Sequence, residues 1–141
     1  TGSYLLWNLI NGAFQSEAYT FEDLNADFLR LKRVEQNVQS ADYTLTLSDQ
    51  AKQIYHPVSD VGNRTWTVPS NASVAFPIGT TITMVNMSVG TITIHIDTDS
   101  MYVIGTGETG DRQLARYGVC TLLKTGSTEW LISGSSTVAS S

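Results

Sequence analysis

The segment Thr91-Ile-Thr-Ile-His-Ile-Asp97 decides the fold of this chain. Its three isoleucines alternate with polar residues, so in an extended chain they all point to one face while Thr93 and His95 point to the other. A helix would scatter the same isoleucines around its axis. The segment therefore predicts a β-strand with one buried face, and it sets the pattern for the sequence on either side.

The same two-residue period recurs through most of the chain from residue 43 onward. The predicted strands are Tyr43–Leu47, Thr65–Val68, Ser73–Phe76, Thr81–Val85, Thr91–Asp97, Met101–Ile104, Val119–Leu123 and Glu129–Ile132. Turn sequences separate them, with the last turn predicted at Lys124-Thr125-Gly126. No helical period interrupts the strands, which excludes repeated strand–helix–strand units. About eight short strands predict a mainly β fold, an antiparallel β-sandwich or jelly roll.

Two different segments precede the β region. The first fourteen residues are strongly apolar, and this arm either folds back on its own core or docks on another subunit. A helix is predicted to begin after Thr20, a capping residue followed by Glu22 and Asp23 in the first turn. Its apolar stripe comprises Phe21, Leu24, Phe28, Leu31 and Val38, widened by Val34. The stripe fits either packing within the chain or a contact between helices of two subunits.

These patterns divide the chain into an N-terminal arm and helix at 1–41, a β-domain at 42–134 and a flexible tail at 135–141. The 141 residues carry a net charge of −5, and 18 Thr with 15 Ser replace much of the usual charge. The sequence has no stripe of basic residues, which argues against binding to nucleic acid. Neither a membrane span nor a signal peptide is predicted. The single cysteine, Cys120, excludes an internal disulfide and is expected to be a core thiol.

Candidate chemistry is sparse in this sequence. Gly105-Thr-Gly107-Glu-Thr-Gly110 matches the letters of a dinucleotide-binding motif, but no helix follows it, so a glycine-rich loop is predicted. His95, Asp97 and Asp99 have a spacing that a divalent metal could use, but the polar outward face of a half-exposed strand is the stronger explanation. His56 has no neighbours in sequence that complete a catalytic set. We therefore predict no catalytic residue, no cofactor, no metal ion and no enzymatic activity.

Three strings of strand and turn residues carry a resemblance to a known family. They are Tyr43-Thr-Leu-Thr-Leu-Ser-Asp-Gln-Ala-Lys-Gln-Ile-Tyr-His-Pro57, Thr65-Trp-Thr-Val-Pro-Ser-Asn-Ala-Ser-Val-Ala-Phe-Pro-Ile-Gly79 and Thr128-Glu-Trp-Leu-Ile-Ser-Gly134. Together they resemble a β-domain that recurs in virion proteins of tailed bacteriophages, over roughly residues 41 to 134. That domain occurs on capsid decoration proteins and on tail or fibre proteins. A short arm with one β-domain is most similar to a decoration, or cement, protein.

The resemblance implies a jelly-roll homo-oligomer, a dimer or a trimer, that binds the major capsid protein on the exterior of the virion capsid. Such a protein is made in the host cytoplasm and has no nucleic-acid or membrane partner. The alternative is a tail-tip or fibre module that binds a host-surface receptor or glycan. The apolar arm and the helix are expected to make the partner contacts. The expected contact residues are Tyr4, Leu5, Leu6, Trp7, Leu9, Ile10, Phe14, Phe21, Leu24, Phe28, Leu31, Arg30 and Arg33.

Overall fold

The structure is a computed structural model, and it describes residues 20–30 and 33–135. It divides the chain into one unit that ends at Arg33 and a second that begins at Val34. Within the described part of the chain, no helix is both long enough and apolar enough to span a lipid bilayer.

Helix α1, Phe21–Arg30, begins where the sequence predicts. The backbone N–H of Thr20 donates to Asp23 Oδ2 at 2.8 Å, and the backbone N–H of Asp23 donates to Thr20 Oγ1 at 3.2 Å. This reciprocal cap satisfies donors that the first turn would otherwise leave unpaired. The prediction that the helical stripe continues to Val38 is wrong, because Glu35–Val38 is strand β1.

Side-chain hydrogen bonds explain why β1 is a strand. Asn37 Nδ2 donates to Asp49 Oδ1 at 2.9 Å and to Tyr43 Oη at 3.1 Å. Tyr43 Oη in turn donates to the buried Asp49 carboxylate at 2.7 Å, and burial followed by this bond raises the pKa of Tyr43. Gln36 pairs with Gln53 on the neighbouring strand at 3.2 Å. These contacts with residues further along the chain outweigh a weak local preference for helix.

Nine further strands and one 3-10 turn complete the second unit. They are β2 Tyr43–Thr44, the 3-10 turn Leu47–Asp49, β3 Lys52–His56, β4 Arg64–Val68, β5 Thr81–Asn86, β6 Ile92–Ile96, β7 Ser100–Val103, β8 Arg112–Leu114, β9 Gly118–Gly126 and β10 Glu129–Gly134. Three of the ten strands among the described residues, β1, β3 and β8, are not predicted by the sequence. The predicted strand Ser73–Phe76 is wrong: it lies in the loop between β4 and β5, where Ser73 and Val74 bond back to Ser70.

The strands form two mixed sheets. One has six strands in the order β1-β3-β5-β9-β10-β7, and the other has four in the order β2-β4-β6-β8. The chain therefore alternates between the sheets from β1 to β8, and it places β1, β3 and β5 side by side in one sheet and β2, β4 and β6 in the other. Within each of these two sets, neighbouring strands are parallel because the chain returns through the other sheet between them.

This path corrects the predicted antiparallel arrangement. Of the eight strand pairs among the described residues, five are parallel and three are antiparallel. The fold is mainly β, as predicted, but the jelly-roll order is not confirmed. Alternating hydrophobicity shows which face of a strand is buried and gives no information about its direction, which is why the sequence could not distinguish the two arrangements.

One hydrophobic cluster draws on both sheets. Its largest members, Trp66 from β4 and Trp130 from β10, are fully buried, and the alternating residues Ile92, Ile94 and Ile96 all belong to it. Both tryptophans are therefore core residues of the second unit. Cys120 is also part of the cluster, and burial raises the pKa of its thiol to about 12, as expected for an inert core cysteine.

Candidate interaction surface

Three loops meet at the end of the sheets where β3 and β5 finish. They are residues 57–63, 87–91 and 115–117, and we call them together the clamped loop surface. Strands β3 and β5 are parallel neighbours, so they deliver their last residues, His56 and Asn86, to the same edge as a directly paired couple. Buried hydrogen bonds from this couple hold the three loops.

Asn86 is the centre of the network. Its side chain is fully buried, and Nδ2 donates to the carbonyls of Gly90 at 2.7 Å and Leu114 at 2.9 Å. Its Oδ1 accepts the backbone N–H of Ser88 at 3.0 Å. Its own carbonyl accepts the backbone N–H of Tyr117 at 2.6 Å. One residue thus binds the backbone of the second and third loops, and these bonds fix the orientation of its amide.

His56 and Asp60 connect the first loop to the same centre. The fully buried His56 ring places Nδ1 2.9 Å from Asn86 Oδ1 and Nε2 2.7 Å from Asp60 Oδ2. Arg64 holds both oxygens of the Asp60 carboxylate, through Nε and Nη2 at 2.8 Å each. Arg64 first, and His56 second, hold the pKa of Asp60 well below its usual range, while Asp60 raises the pKa of Arg64.

Ser88 and two glycines close the gap between the first and second loops. Ser88 Oγ donates to the carbonyl of Asp60 and accepts the N–H of Gly90 at 3.0 Å. A Cβ atom on Gly90 would lie 2.2 Å from the carbonyl oxygen of Gly62, so the two backbones touch. Both nitrogens of His56 are already engaged by Asn86 and Asp60, and the cluster therefore has no Ser/His/Asp relay. Its geometry serves to hold loops.

The clamped loops present large apolar side chains to solvent. Val58 is exposed to 59%, Val61 to 69%, Val89 to 61% and Tyr117 to 66%. Tyr117 has a φ of 66°, a left-handed conformation that costs a non-glycine residue about 1 kcal/mol or more and persists only where surrounding bonds impose it. The Arg116 guanidinium lies 4.8 Å from the Tyr117 ring centre. The surface is thus apolar and conformationally fixed.

The Asp60 ion pair predicts a pH dependence of stability. Because the folded state lowers the pKa of Asp60, the unfolded state binds more protons around pH 3 to 4, and stability falls with the pH in that range. The loss of unfolding free energy caused by Asp60→Asn should therefore have its full value at neutral pH and become smaller as the pH falls below about 4. Urea denaturation of both proteins between pH 7 and pH 2 measures this difference. A difference that stays constant across that range would contradict the assignment.

The partner-binding residues predicted from the sequence fall mostly outside the described structure. This holds for Tyr4, Leu5, Leu6, Trp7, Leu9, Ile10, Phe14 and Leu31, and for the side chains of Phe28 and Arg30. Of the remaining three, Phe21 is exposed to 84%, Leu24 to 53%, and Arg33 is exposed. Their role in binding a partner stays a prediction.

The residues considered for metal binding do not come together. His95 lies on β6, with Nδ1 2.9 Å from an Asp111 carboxylate oxygen. Asp97 and Asp99 follow the strand, and Asp99 Oδ2 accepts the backbone N–H of Asn71 at 2.9 Å. Among residues 20–30 and 33–135, no group of three or more His, Cys, Asp or Glu side chains is placed to hold a metal ion.

The glycine-rich motif forms the connection between β7 and β8. Gly105, Gly107 and Gly110 all have positive φ angles, and no helix begins after the last of them. The prediction of a loop is confirmed. Together with β7, β9 and β10 the loop borders an open groove of about 530 Å³ whose lining includes Tyr102, Ile104 and Glu129.

Sequence analysis missed the centre of the clamped loop surface, although two signals were present. Asn86 occupies the inward phase of β5 after Ile82 and Met84, where a polar residue must find buried partners. His56, Asp60 and Arg64 are spaced by four residues across a turn.

No family model matches the chain, and no curated protein or solved structure matches it significantly, so the phage resemblance remains an expectation from the sequence.

Proposed function

We propose that this protein is a structural virion component of a tailed bacteriophage, a capsid decoration or cement protein that binds and stabilises the shell of the major capsid protein. It acts as a homo-oligomer on the capsid exterior, after synthesis in the host cytoplasm. The observation that carries the proposal is the clamped loop surface, an apolar patch whose three loops are fixed before any partner arrives.

A preformed surface favours this function because binding then loses little conformational entropy. Loops that must be ordered by the partner reduce affinity, whereas loops already fixed by Asn86 and Asp60 do not. Exposed valines and a tyrosine contribute apolar contact area, and Tyr is common in the centres of interfaces. A capsid repeats its surface many times, so an oligomer gains from multivalent contact even when each interface is modest.

The test is co-sedimentation with shells assembled from the major capsid protein encoded in the same genome. The wild-type protein should sediment with the shells, and the double variant Val58→Asp/Val61→Asp should bind at least about tenfold more weakly, because carboxylates would then face the partner's apolar surface. Ile78→Asp is the matched control. Ile78 is 68% exposed but lies in the loop that precedes β5, at the opposite end of that strand from Asn86.

Two outcomes would contradict the proposal. If the wild-type protein does not bind the shells, the capsid assignment is wrong. If it binds intact host cells or purified surface polysaccharide instead, the tail-tip or fibre alternative replaces it. A separate double variant, Phe21→Asp/Leu24→Asp, measures whether the helix contributes contacts as the sequence predicts.

A further inference from the structure

A lysine points into the core of the second unit. Lys124 lies on β9 in the same inward phase as Cys120 and Leu122, and only 1% of its surface is exposed. Its backbone N–H donates to the carbonyl of Thr80 at 2.9 Å, and its carbonyl accepts the N–H of Gly79 at 2.8 Å. The lysine is therefore held on both sides of its Cα, and its side chain extends along the interior.

Among the described residues, the buried amine contacts neutral side chains. Lys124 Nζ donates to Asn71 Oδ1 at 2.7 Å and lies 5.6 Å from the Trp130 ring centre. Phe76 packs against that ring edge-on, with 5.6 Å between centres. Within residues 20–30 and 33–135, no carboxylate lies at ion-pair distance from Nζ. Burying an ammonium group without an opposite charge is costly, which sets this site apart from an ordinary structural lysine.

The asparagine is fixed as firmly as the lysine. Asp99 Oδ2 accepts the backbone N–H of Asn71 at 2.9 Å. The carbonyl of Ser70, the preceding residue, accepts the backbone N–H groups of Ser73 and Val74. Since a carbonyl bond is about 1.2 Å long, Nζ lies no more than about 3.9 Å from Asn71 Cγ. Reacting atoms held about 3 to 3.5 Å apart in a fixed geometry react far faster than free groups. The distance between Nζ and Cγ therefore needs to shorten only slightly.

We propose that Lys124 and Asn71 form an intramolecular isopeptide bond. Nζ attacks Cγ of the asparagine amide, the new Nζ–Cγ bond forms and the Cγ–Nδ2 bond breaks. Two protons of the Lys124 ammonium pass to Nδ2, which leaves as ammonium ion, so atoms and charge balance without an oxidant or any co-reactant. The product is a neutral amide in the core, and the buried charge is removed.

Asp99 fixes the main chain that carries the reacting amide. Its carboxylate accepts the backbone N–H of Asn71 at 2.9 Å, so we assign it a positioning role. Asp99→Ala removes this acceptor and should slow the loss of ammonia several-fold while the purified protein keeps its fold by circular dichroism. Asp99→Asn, which keeps an acceptor oxygen, should restore part of the rate.

The mass of the intact wild-type protein is the decisive measurement. It should be lower than the sequence mass by one ammonia, and Lys124→Met and Asn71→Ala should each have their full sequence masses. Trypsin cleaves after Lys and Arg, so the bond would block cleavage at Lys124 and join the peptide 65–112 to the peptide 117–141. The masses of the branched peptide and its fragments identify the joined residues.

Two results would overturn the proposal. One is a wild-type protein of full sequence mass that trypsin cleaves normally after Lys124, which would leave a hydrogen-bonded pair only. The other is a loss of ammonia that persists in Asn71→Ala, since the Asn11-Gly12 pair can also lose ammonia by cyclising on its own backbone. Asn71→Asp offers a further check, because attack on a carboxylic acid should release water in place of ammonia.

Discussion

Asn86→Ala is expected to lower the free energy of unfolding by about 4 kcal/mol or more, since it leaves several buried groups without partners at about 1 to 3 kcal/mol each. The groups affected are the carbonyls of Gly90 and Leu114, the N–H of Ser88 and the ring of His56. Alanine cannot replace any of these bonds, and the Asn86 side chain is fully buried, away from bulk water. Guanidinium denaturation followed by tryptophan fluorescence measures the loss.

Asn63→Ala is the matched control for this prediction. Asn63 makes one side-chain bond, from Oδ1 to the N–H of Thr91 at 2.9 Å, and it is exposed to solvent. Water replaces that bond on removal, so the cost should stay within about 1 kcal/mol. Equal losses in the two variants would show that Asn86 does not organise the loops.

Gly90→Ala is expected to be the second most damaging change to the clamped loop surface. Its Cβ would lie 2.2 Å from the Gly62 carbonyl oxygen, 2.7 Å from the Gly62 carbonyl carbon and 2.9 Å from the Val61 carbonyl oxygen. All three are backbone atoms, so a side-chain rotation cannot relieve the clash and the two loops must separate. Separation breaks the bonds of Ser88 as well, and the loss should reach about 3 kcal/mol, the upper range for overpacking.

Gly105→Ala separates crowding from backbone conformation. No atom lies within 4 Å of a Cβ built on Gly105, but its φ of +85° is unfavourable for alanine. The expected cost is about 1 kcal/mol, from the left-handed conformation alone. The same denaturation experiment compares the two variants, and a larger loss for Gly105→Ala would mean that the contact between Gly62 and Gly90 is not tight.

The sequence predicts the local features of this fold well. Thr20 caps α1, the isoleucines of Thr91–Asp97 are buried together, and Cys120 belongs to the core. Each of these features follows from a pattern within a short stretch of sequence. The direction of the strands and the existence of β1 cannot be predicted in this way, because they depend on partners far along the chain, such as Asp49 for Asn37.

The polar residues at inward positions were the hardest to predict. The sequence predicts a turn at Lys124, since a charged residue beside Thr125 and Gly126 is typical of one, yet β9 continues through Gly126 and the turn follows it. Asn86 lies one residue beyond the predicted strand Thr81–Val85, so its inward position is not predicted either. In both cases the residue is inside because a specific partner is there, Asn71 or Gly90, and that partner is invisible until the chain is folded.

The alternation of the chain between two sheets has a consequence for synthesis on the ribosome. In the six-stranded sheet, β9 and β10 are the last strands made, but they lie between β5 and β7. Among the described residues, β10 is the only strand that pairs with β7, so β7 must wait for its place in the sheet until β10 has left the exit tunnel. The hairpin β9–β10 is the most local pairing and can form quickly, whereas the remaining pairs need long loop closures. The six-stranded sheet should therefore be completed only once β10 has been made, with the hairpin joining strands that were made earlier.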